Sequence, residues 1–541
     1  MKQLTRLACL LLTALLLLGS FSSQFTPDLS GVKLQEGLVE YSDVSAEPAD
    51  NYRTWYEIFV YSFCDSDGDG IGDLQGVISK LDYLQELGVN GIWLMPIHPS
   101  PTYHKYDVTD YYAIDPQYGT MADFEALMEQ CQERDISVIL DLVLNHTGVD
   151  HPWFREAEAY LQSLEPGREP DAAQCPYVDY YFFSPSQVNG DYYGVEGTDW
   201  FYEGKFWSGM PDLNLENEDL REEIRNILAF WMEKGVAGFR LDAAKEYFSG
   251  QPSRNIQVLN FLTQTAKSIN PDAYLVAEVW EGFSTIADYY QSGIPSLFNF
   301  AFGDSSGKIT AVLRAVDNEK TVSSFATAQE KADKAYRANN PDYIDAPFLS
   351  NHDTGRIAGF CNREENKMKL AAAMNLMMSG SAFVYYGEEL GMAGSGNDPS
   401  KRAPMLWNEA RDAGTTNPPP ECQLPEEYPL GSLEIQREQE YSIFRYYQQA
   451  IALRRENPVI SHGIPTAETA LNVNCVSATR KTWGEESCLI LMNISTEEKQ
   501  CDLTGYEAFT LVGTLTVDER GVTQTGNQLI LPPYAVAVLC N

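Results

Sequence analysis

From about residue 52 to about residue 456 the chain repeats one pattern, a short run of β-branched and aromatic residues followed by a longer amphipathic stretch. Candidate strands are 56–62, "NGIWLMP" (90–96), "SVILDLVLN" (137–145), "AGFRLD" (237–242), "AYLVAEVW" (273–280), "SLFNFAF" (296–302), "YIDAPFLSN" (343–351) and "AFVYYG" (382–387). Stretches such as "MADFEALMEQCQE" (121–133) and "LREEIRNILAFWMEK" (220–234) carry apolar residues at helical spacing. They can serve as the crossover helices that parallel strands require. Eight such units predict a (β/α)8 TIM barrel over residues 51–456.

One connection breaks the rhythm. Residues 147–210, rich in Tyr, Gly, Pro and Asp, separate the third strand from the next helix. A structureless loop of that length is improbable in a compact domain, so a small inserted domain is expected there. From residue 457 to 541 the pattern changes to short alternating segments such as "ESCLILMNIS" and "NQLILPPYAVAVLC". That tail reads as a C-terminal all-β sandwich.

Residues 1–22 carry Lys2 and Arg6, then "LACLLLTALLLLG", then small residues, which is the layout of an export signal peptide. Residues 23–50 are polar and aperiodic and read as a linker, and no later run is long and apolar enough to span a bilayer. The expectation is a freely secreted monomer. The net charge of −39 excludes nucleic acid and anionic membrane surfaces as partners. Of ten cysteines one lies in the leader, so the remaining nine leave at least one thiol unpaired or paired between chains. Cys475, Cys488, Cys501 and Cys540 crowd the tail and could supply a disulfide.

In a TIM barrel the chemistry sits at the carboxyl ends of the strands. There the sequence places Asp141 with Asn145 and His146, Arg240 with Asp242, Glu278, and "NHD" (351–353). One strand-end aspartate is usually a helix cap or a structural acceptor. Several converging on one mouth point to cleavage of a glycosidic bond, which needs one carboxylic acid to protonate the leaving oxygen and one carboxylate to attack or to activate water. Arg240 and Asp242 lie two apart on a strand, hence on one face, where the guanidinium would keep the attacking aspartate ionised.

A second cluster lies in "DSDGDGIGD" (65–73), which offers carboxylates at alternate positions of a glycine-rich run. Asp65, Asp67, Asp69 and Asp73 fill side-chain positions of a calcium loop, Ile71 could give its carbonyl, and Gly70 sits at the turn. Position twelve is Gly76 instead of the bidentate Glu of an EF-hand. The flanks read as a strand, "WYEIFVYSF" (55–63), and a helix with Leu74, Val77, Ile78, Leu81, Leu84 and Leu87 on one face.

At the strand ends the chain closely resembles the α-amylase family, glycoside hydrolase family 13. Four motifs stand in the family's order: "DLVLNH" (141–146), "GFRLDAAKE" (238–246), "EVW" (278–280) and "FLSNHD" (348–353). The resemblance implies Asp242 as nucleophile, Glu278 as general acid and base, and Asp353 as transition-state stabiliser. It implies Arg240, His146 and His352 as sugar-binding residues at the cleavage subsite. "YHKYD" (103–107) resembles the segment that stacks on that sugar, with Tyr106 as the stacking ring and His104 and Asp107 as further contacts. "MPDLN" (210–214) is similar to a fifth motif, whose Asp212 would bind calcium together with Asn145. The loop at 65–73 resembles a second metal loop of some members, again with calcium as the ion.

Lys245 follows the nucleophile motif as a substrate contact and is succeeded by Glu246, where many α-amylases have His; several neopullulanase-like members have Glu. The first reading is therefore an α-1,4-hydrolase of starch or maltodextrins, acting on α-glucan polysaccharide or maltooligosaccharide. The alternative is a neopullulanase or α-glucosidase with some transfer activity. A non-catalytic glucan-binding relative is the third, and the complete carboxylate set speaks against it. The aromatics of "DYYGVEGTDWFYEGKFW" (191–207) fit either a sugar platform or the core of the insert.

Overall fold

The computed structural model describes residues 50–412 and 414–541. The expected leader (1–22) and all of the linker except Asp50 lie outside the described residues. Seven parallel strands form the central sheet. They are β1 (Thr54–Ile58), β2 (Gly91–Leu94), β3 (Ser137–Leu142), β7 (Gly238–Leu241), β8 (Tyr274–Ala277), β9 (Ser296–Leu297) and β10 (Ala382–Tyr385). Their order is β10-β1-β2-β3-β7-β8-β9. The numbers β4 (Phe183–Ser184), β5 (Tyr192–Gly194) and β6 (Phe201–Glu203) belong to the segment between β3 and β7.

The barrel closes through residues 344–349, which are extended but form no regular strand. On one side Ser381 N–H donates to the Asp345 carbonyl (2.7 Å) and Phe383 N–H to that of Pro347 (2.8 Å). On the other, Ile344 N–H donates to Pro295 O (2.8 Å) and Asn299 N–H to Ala346 O (3.0 Å). Pro347 has no N–H to give, which interrupts the ladder at its centre. Regular strands were expected over 296–302 and 343–351; the structure keeps only Ser296–Leu297 and an isolated Phe298–Ala346 bridge. The first candidate strand is also shorter than expected. It ends at Ile58, and Val60–Phe63 form one helical turn. All of 55–63 is buried, and a fully buried apolar run carries no periodicity to separate strand from helix.

The crossover helices form where amphipathic periodicity meets a cap. Met121–Glu133 starts with a capping box between Thr120 and Asp123 and buries Phe124, Leu127 and Cys131. Glu218–Glu233 starts at Asn217, whose side chain accepts the Leu220 N–H, and buries Leu220, Ile224, Ile227, Leu228 and Trp231. At the start of β7 a Cβ on Gly238 would lie 1.7 Å from the Tyr274 carbonyl oxygen. Glycine there lets β7 approach β8.

Between β3 and β7 the helix Pro152–Ser163 is followed by a three-stranded antiparallel sheet, β4-β6-β5. Phe154 packs edge-on to Tyr181 and Tyr202, at 5.2 and 4.9 Å between ring centres. The C-terminal strands run Ile464–Ala467 (β11), Val476–Trp483 (β12), Glu486–Asn493 (β13), Lys499–Asp502 (β14), Thr510–Leu515 (β15), Thr523–Thr525 (β16), Gln528–Leu531 (β17) and Val536–Cys540 (β18). Two antiparallel sheets result, β11-β12-β13-β18-β15 and β14-β17-β16. Leu489, Leu491, Ala537 and Leu539 of the larger meet Cys501, Leu529 and Leu531 of the smaller in a separate apolar layer. The alternate residues Cys488, Ile490 and Met492 join the main core instead, so β13 is buried on both faces. All nine described cysteines are free thiols. No described helix is long and apolar enough to cross a membrane.

Candidate active site

Strands β3, β7 and β8 deliver charge to one end of the barrel. In the parallel registers Asp141 of β3 pairs with Arg240 of β7, and Arg240 with Val276 of β8. Past the regular strands the ladder continues for one more step: Asp242 N–H donates to Leu142 O (3.2 Å) and Glu278 N–H to Leu241 O (3.0 Å). The chain then turns away at Ala243, which adopts φ 45°. That turn aims the Ala243 N–H at Glu278 Oε2, 3.0 Å away.

Arg240, wholly buried, is the hub. Its Nη1 donates to both oxygens of Asp141 (2.9 and 3.0 Å) and to Asp242 Oδ1 (2.5 Å), and its Nη2 donates to Glu278 Oε2 (2.8 Å). Three carboxyl groups thus share one guanidinium. Burial pushes Asp141 up, against the pull of Arg240. Burial also lifts Asp242, to about 8, with Arg240 opposing and Glu278 adding to the rise. Like charges this close cannot all ionise, so the group retains a proton at neutral pH. A carboxylic acid and a carboxylate side by side are what glycosidic cleavage needs.

Across the mouth, Asp353 accepts from Arg402 Nη2 at 2.7 Å and contacts His352 Nε2 at 3.1 Å. Desolvation alone would raise Asp353, but His352 and Arg402 outweigh it and hold the carboxyl well below its ordinary value. The Tyr106 ring stacks on His352, 5.4 Å between centres and 16° from parallel.

Asp242, Glu278, Asp353, Tyr106 and Arg402 line a cleft of about 560 Å³ together with His104, His146 and Lys245, whereas Arg240 and His352, expected as sugar contacts, lie buried beneath its wall with Asp141. His104 Nδ1 accepts the Tyr106 N–H (3.2 Å), and burial with the nearby Arg402 lowers its pKa to about 4. It is therefore neutral and carries its proton on Nε2. His146 is lowered to about 3 by burial, and its Nε2 is a buried atom without a hydrogen-bond partner. Lys245 Nζ bridges the rim to Trp280 O and Glu281 Oε1, both at 3.1 Å.

Asp107 is placed differently from the expectation. It is buried beneath the cleft wall, where it accepts the Thr102 hydroxyl (3.1 Å), and burial raises it to about 6. It braces the turn that carries His104 and Tyr106 and does not line the cleft. Glu57 and Arg402 were not singled out from sequence. Glu57 was hidden in a run that reads as core strand. Arg402 lies in "DPSKRAPMLW", a charged loop after β10, and its position at the carboxyl end of a barrel strand was the available signal. Among the aromatics of 191–207 the roles divide. Tyr202 packs in the insert, whereas Phe206 and Trp207 are about half exposed and line the cleft.

The loop at 65–73 brings three of its aspartates together. Ligand oxygens of Asp65, Asp67 and Asp73 lie within 4.8 Å of one another. The backbone wraps Asp65, whose Oδ1 accepts Gly68 N–H (2.7 Å) and whose Oδ2 accepts Gly70 N–H (2.8 Å). Gly68 and Gly70 adopt φ of 88° and 93°, which suits glycine. Asp73 also caps the helix Leu74–Ser79 through Gly76 N–H. Asp69 stands outside the trio and accepts the Ile71 N–H (2.7 Å). An all-oxygen cluster held open by backbone donors fits a hard cation such as calcium.

Asn145 and Asp212 fit one poorly. Asn145 Nδ2 donates to Asp212 Oδ1 (3.1 Å) and Lys205 N–H to Asp212 Oδ2 (2.9 Å), and only Asn145 Oδ1 is left without a partner. Among the described residues no third acidic or histidine side chain joins them at ligand spacing. With Leu213 N–H on Asn145 O (2.9 Å), the pair clasps the segment at 212 to the end of β3.

Known proteins resemble this chain over most of its length. A family model described as the alpha amylase catalytic domain matches residues 57–463. Alpha-amylase 3 of Dictyoglomus thermophilum is 41% identical over 424 residues, which is 77% of this chain and 80% of that protein. The solved structure of Eubacterium rectale Amy13B aligns with a TM-score of 0.88 at 44% identity, covering 91% of this chain and 96% of the other. That of an alpha-amylase from H. orenii aligns with a TM-score of 0.78 at 35% identity, covering 91% and 100%.

Proposed function

The chain belongs to the α-amylase catalytic-domain family of glycoside hydrolases, and on that premise we propose that it cleaves internal α-1,4-glucosidic bonds of starch or maltodextrins with retention of configuration. The observation that carries this reading is the seating of Asp242 and Glu278 on the two terminal nitrogens of Arg240. One guanidinium holds the two carboxyl groups near each other, which suits the short separation of a retaining pair.

In the first step Asp242 attacks the anomeric carbon and forms a glycosyl ester, while Glu278 gives its proton to the departing glucosidic oxygen. In the second, Glu278 takes a proton from water, which attacks the same carbon and frees Asp242. Asp353 faces the positive charge that develops on the sugar ring, and its low pKa keeps it anionic throughout. Tyr106 supplies a ring face under that sugar, and His104, His146 and Arg402 surround its hydroxyls.

Endo action is supported by the rims. Phe206, Trp207 and Trp280 are 49%, 48% and 39% exposed and line the cleft, and Trp280 is stacked on Phe300 with 5.2 Å between centres. Aromatic faces on both walls suit a chain running through. Calcium at Asp65, Asp67 and Asp73 would neutralise the trio and tie the loop after β1; it takes no part in the chemistry. Residues 1–22 support export of the enzyme. Digestion of soluble starch, pullulan and maltose tests the assignment. An early spread of maltooligosaccharides from starch with maltose spared is the expected result. Panose from pullulan, or glucose alone from every substrate, would contradict it.

A further inference from the structure

Glu57 lies on β1, 2% exposed, with no route to the substrate. Its Oε1 nonetheless meets His352 Nδ1 at 2.6 Å. The other ring nitrogen, Nε2, stands 2.6 Å from the Tyr106 hydroxyl and 3.1 Å from Asp353 Oδ2. Tyr106 has one proton to give, and it faces Asp141 Oδ2 at 3.0 Å, a carboxylate oxygen held by Arg240. Nε2 faces the Asp353 carboxylate, so it donates, and the Tyr106 oxygen, which also receives Arg240 Nη1 at 3.4 Å, is placed to accept from it. Nδ1 faces a carboxylate and must also donate. Both nitrogens of His352 carry protons.

We propose that Glu57 is a positioning residue for the reaction, holding His352 as an imidazolium so that this cation orients Asp353 and keeps it ionised beside the sugar. If Glu57 carried no charge, His352 would keep one proton only. A lone pair would then face either the Asp353 carboxylate and the Tyr106 oxygen, or the group at position 57. Arg402 completes the arrangement from the opposite side, with Nε on the His352 carbonyl (3.1 Å) and Nη2 on Asp353. Trp93 of β2 presents only an uncharged ring to His352, 5.6 Å between centres.

The charges around the imidazole agree with this geometry. Burial alone would lower His352, but Asp353 and Glu57 overcome it and raise the ring to about 9. His352 and Arg240 in turn pull Glu57 down against a larger rise from burial. The pair is oppositely charged wherever Glu57 has released its proton and His352 still holds both of its own.

The catalytic consequence rests on the retaining-hydrolase reading; the protonation of His352 does not. Glu57→Gln keeps the shape and removes the charge. Ring 13C and 15N resonances of His352, assigned by their loss in His352→Gln, should report an imidazolium to about pH 8 in the parent and a titration about two units lower in Glu57→Gln. The ratio of variant to parent kcat/KM should fall about tenfold or more between pH 5.5 and pH 8, because the parent's other titrations cancel in the ratio. A merely structural Glu57 leaves that ratio flat, which overturns the proposal. A neutral His352 in the parent at pH 7 overturns it too, even if Glu57→Gln does not fold and even if starch hydrolysis is established. An imidazolium in a protein that leaves α-glucans intact would uphold the protonation and overturn the functional reading.

Discussion

Arg240 and Asp242 stand two residues apart on one strand and meet at 2.5 Å, with Glu278 on the guanidinium's other terminal nitrogen at 2.8 Å. One buried cation thereby fixes the nucleophile and the acid with respect to each other before any substrate arrives. Preorganisation of this kind is worth most when the groups need not move during reaction.

Asp242→Asn and Glu278→Gln should each reduce kcat on maltooligosaccharides by about 10³-fold or more, since each removes a covalent or proton-transfer role. Asn and Gln retain an oxygen for Arg240, so both variants should fold. Purified proteins with parental circular dichroism and with turnover within tenfold of the parent would remove these residues from the mechanism.

Folding stability should fall as pH rises from about 6.5 to about 9. The folded chain holds the His352 proton up to about 9, whereas an unfolded histidine releases it near about 6.5. That contribution is complete below the lower value and gone above the higher one. Glu388, raised to about 8 by burial, acts in the same direction, because the unfolded chain has lost that proton by about pH 5. Urea midpoints at pH 6.5, 7.5 and 8.5 measure the trend. A midpoint that rises across the series would show that these groups do not bind protons in the folded state.

The loop after β1 contributes nothing to the cleavage set, so its metal should appear in stability alone. A cation that binds only the folded state adds about 2.7 kcal/mol at a hundred times its dissociation constant. Asp67 is the informative position, because apart from its place in the trio it only accepts the Asp69 N–H (3.1 Å). Asp67→Ala should lower Tm in calcium and shrink the further loss that a chelator causes, with kcat at low temperature changed less than twofold. Equal melting of variant and parent, with and without chelator, would leave the loop a solvated turn.

The barrel, the C-terminal sheets and the converging carboxylates were legible because each rests on local patterning. Short strand-like segments marked β13, β17 and β18, helical spacing marked Met121–Glu133, and strand ends marked Asp242 and Glu278. What escaped was set by tertiary geometry. Residues 344–349 close the barrel through hydrogen bonds that a proline interrupts. Asp107 shares a motif with Tyr106 yet turns inward, because five residues of tight turn point neighbours in opposite directions. Glu57 and Arg402 reach the site from positions 295 and 50 residues away from His352, a proximity that no window of sequence contains.

The central claim is that Asp242 attacks the sugar directly. Proton NMR of the anomeric signals in the first minutes of maltooligosaccharide hydrolysis, before mutarotation, tests it in one experiment. Two displacements at one carbon give the α-anomer first, and that is the result expected here. An initial β-anomer would mean that water attacks in a single step, and the roles given to Asp242 and Glu278 would have to be abandoned.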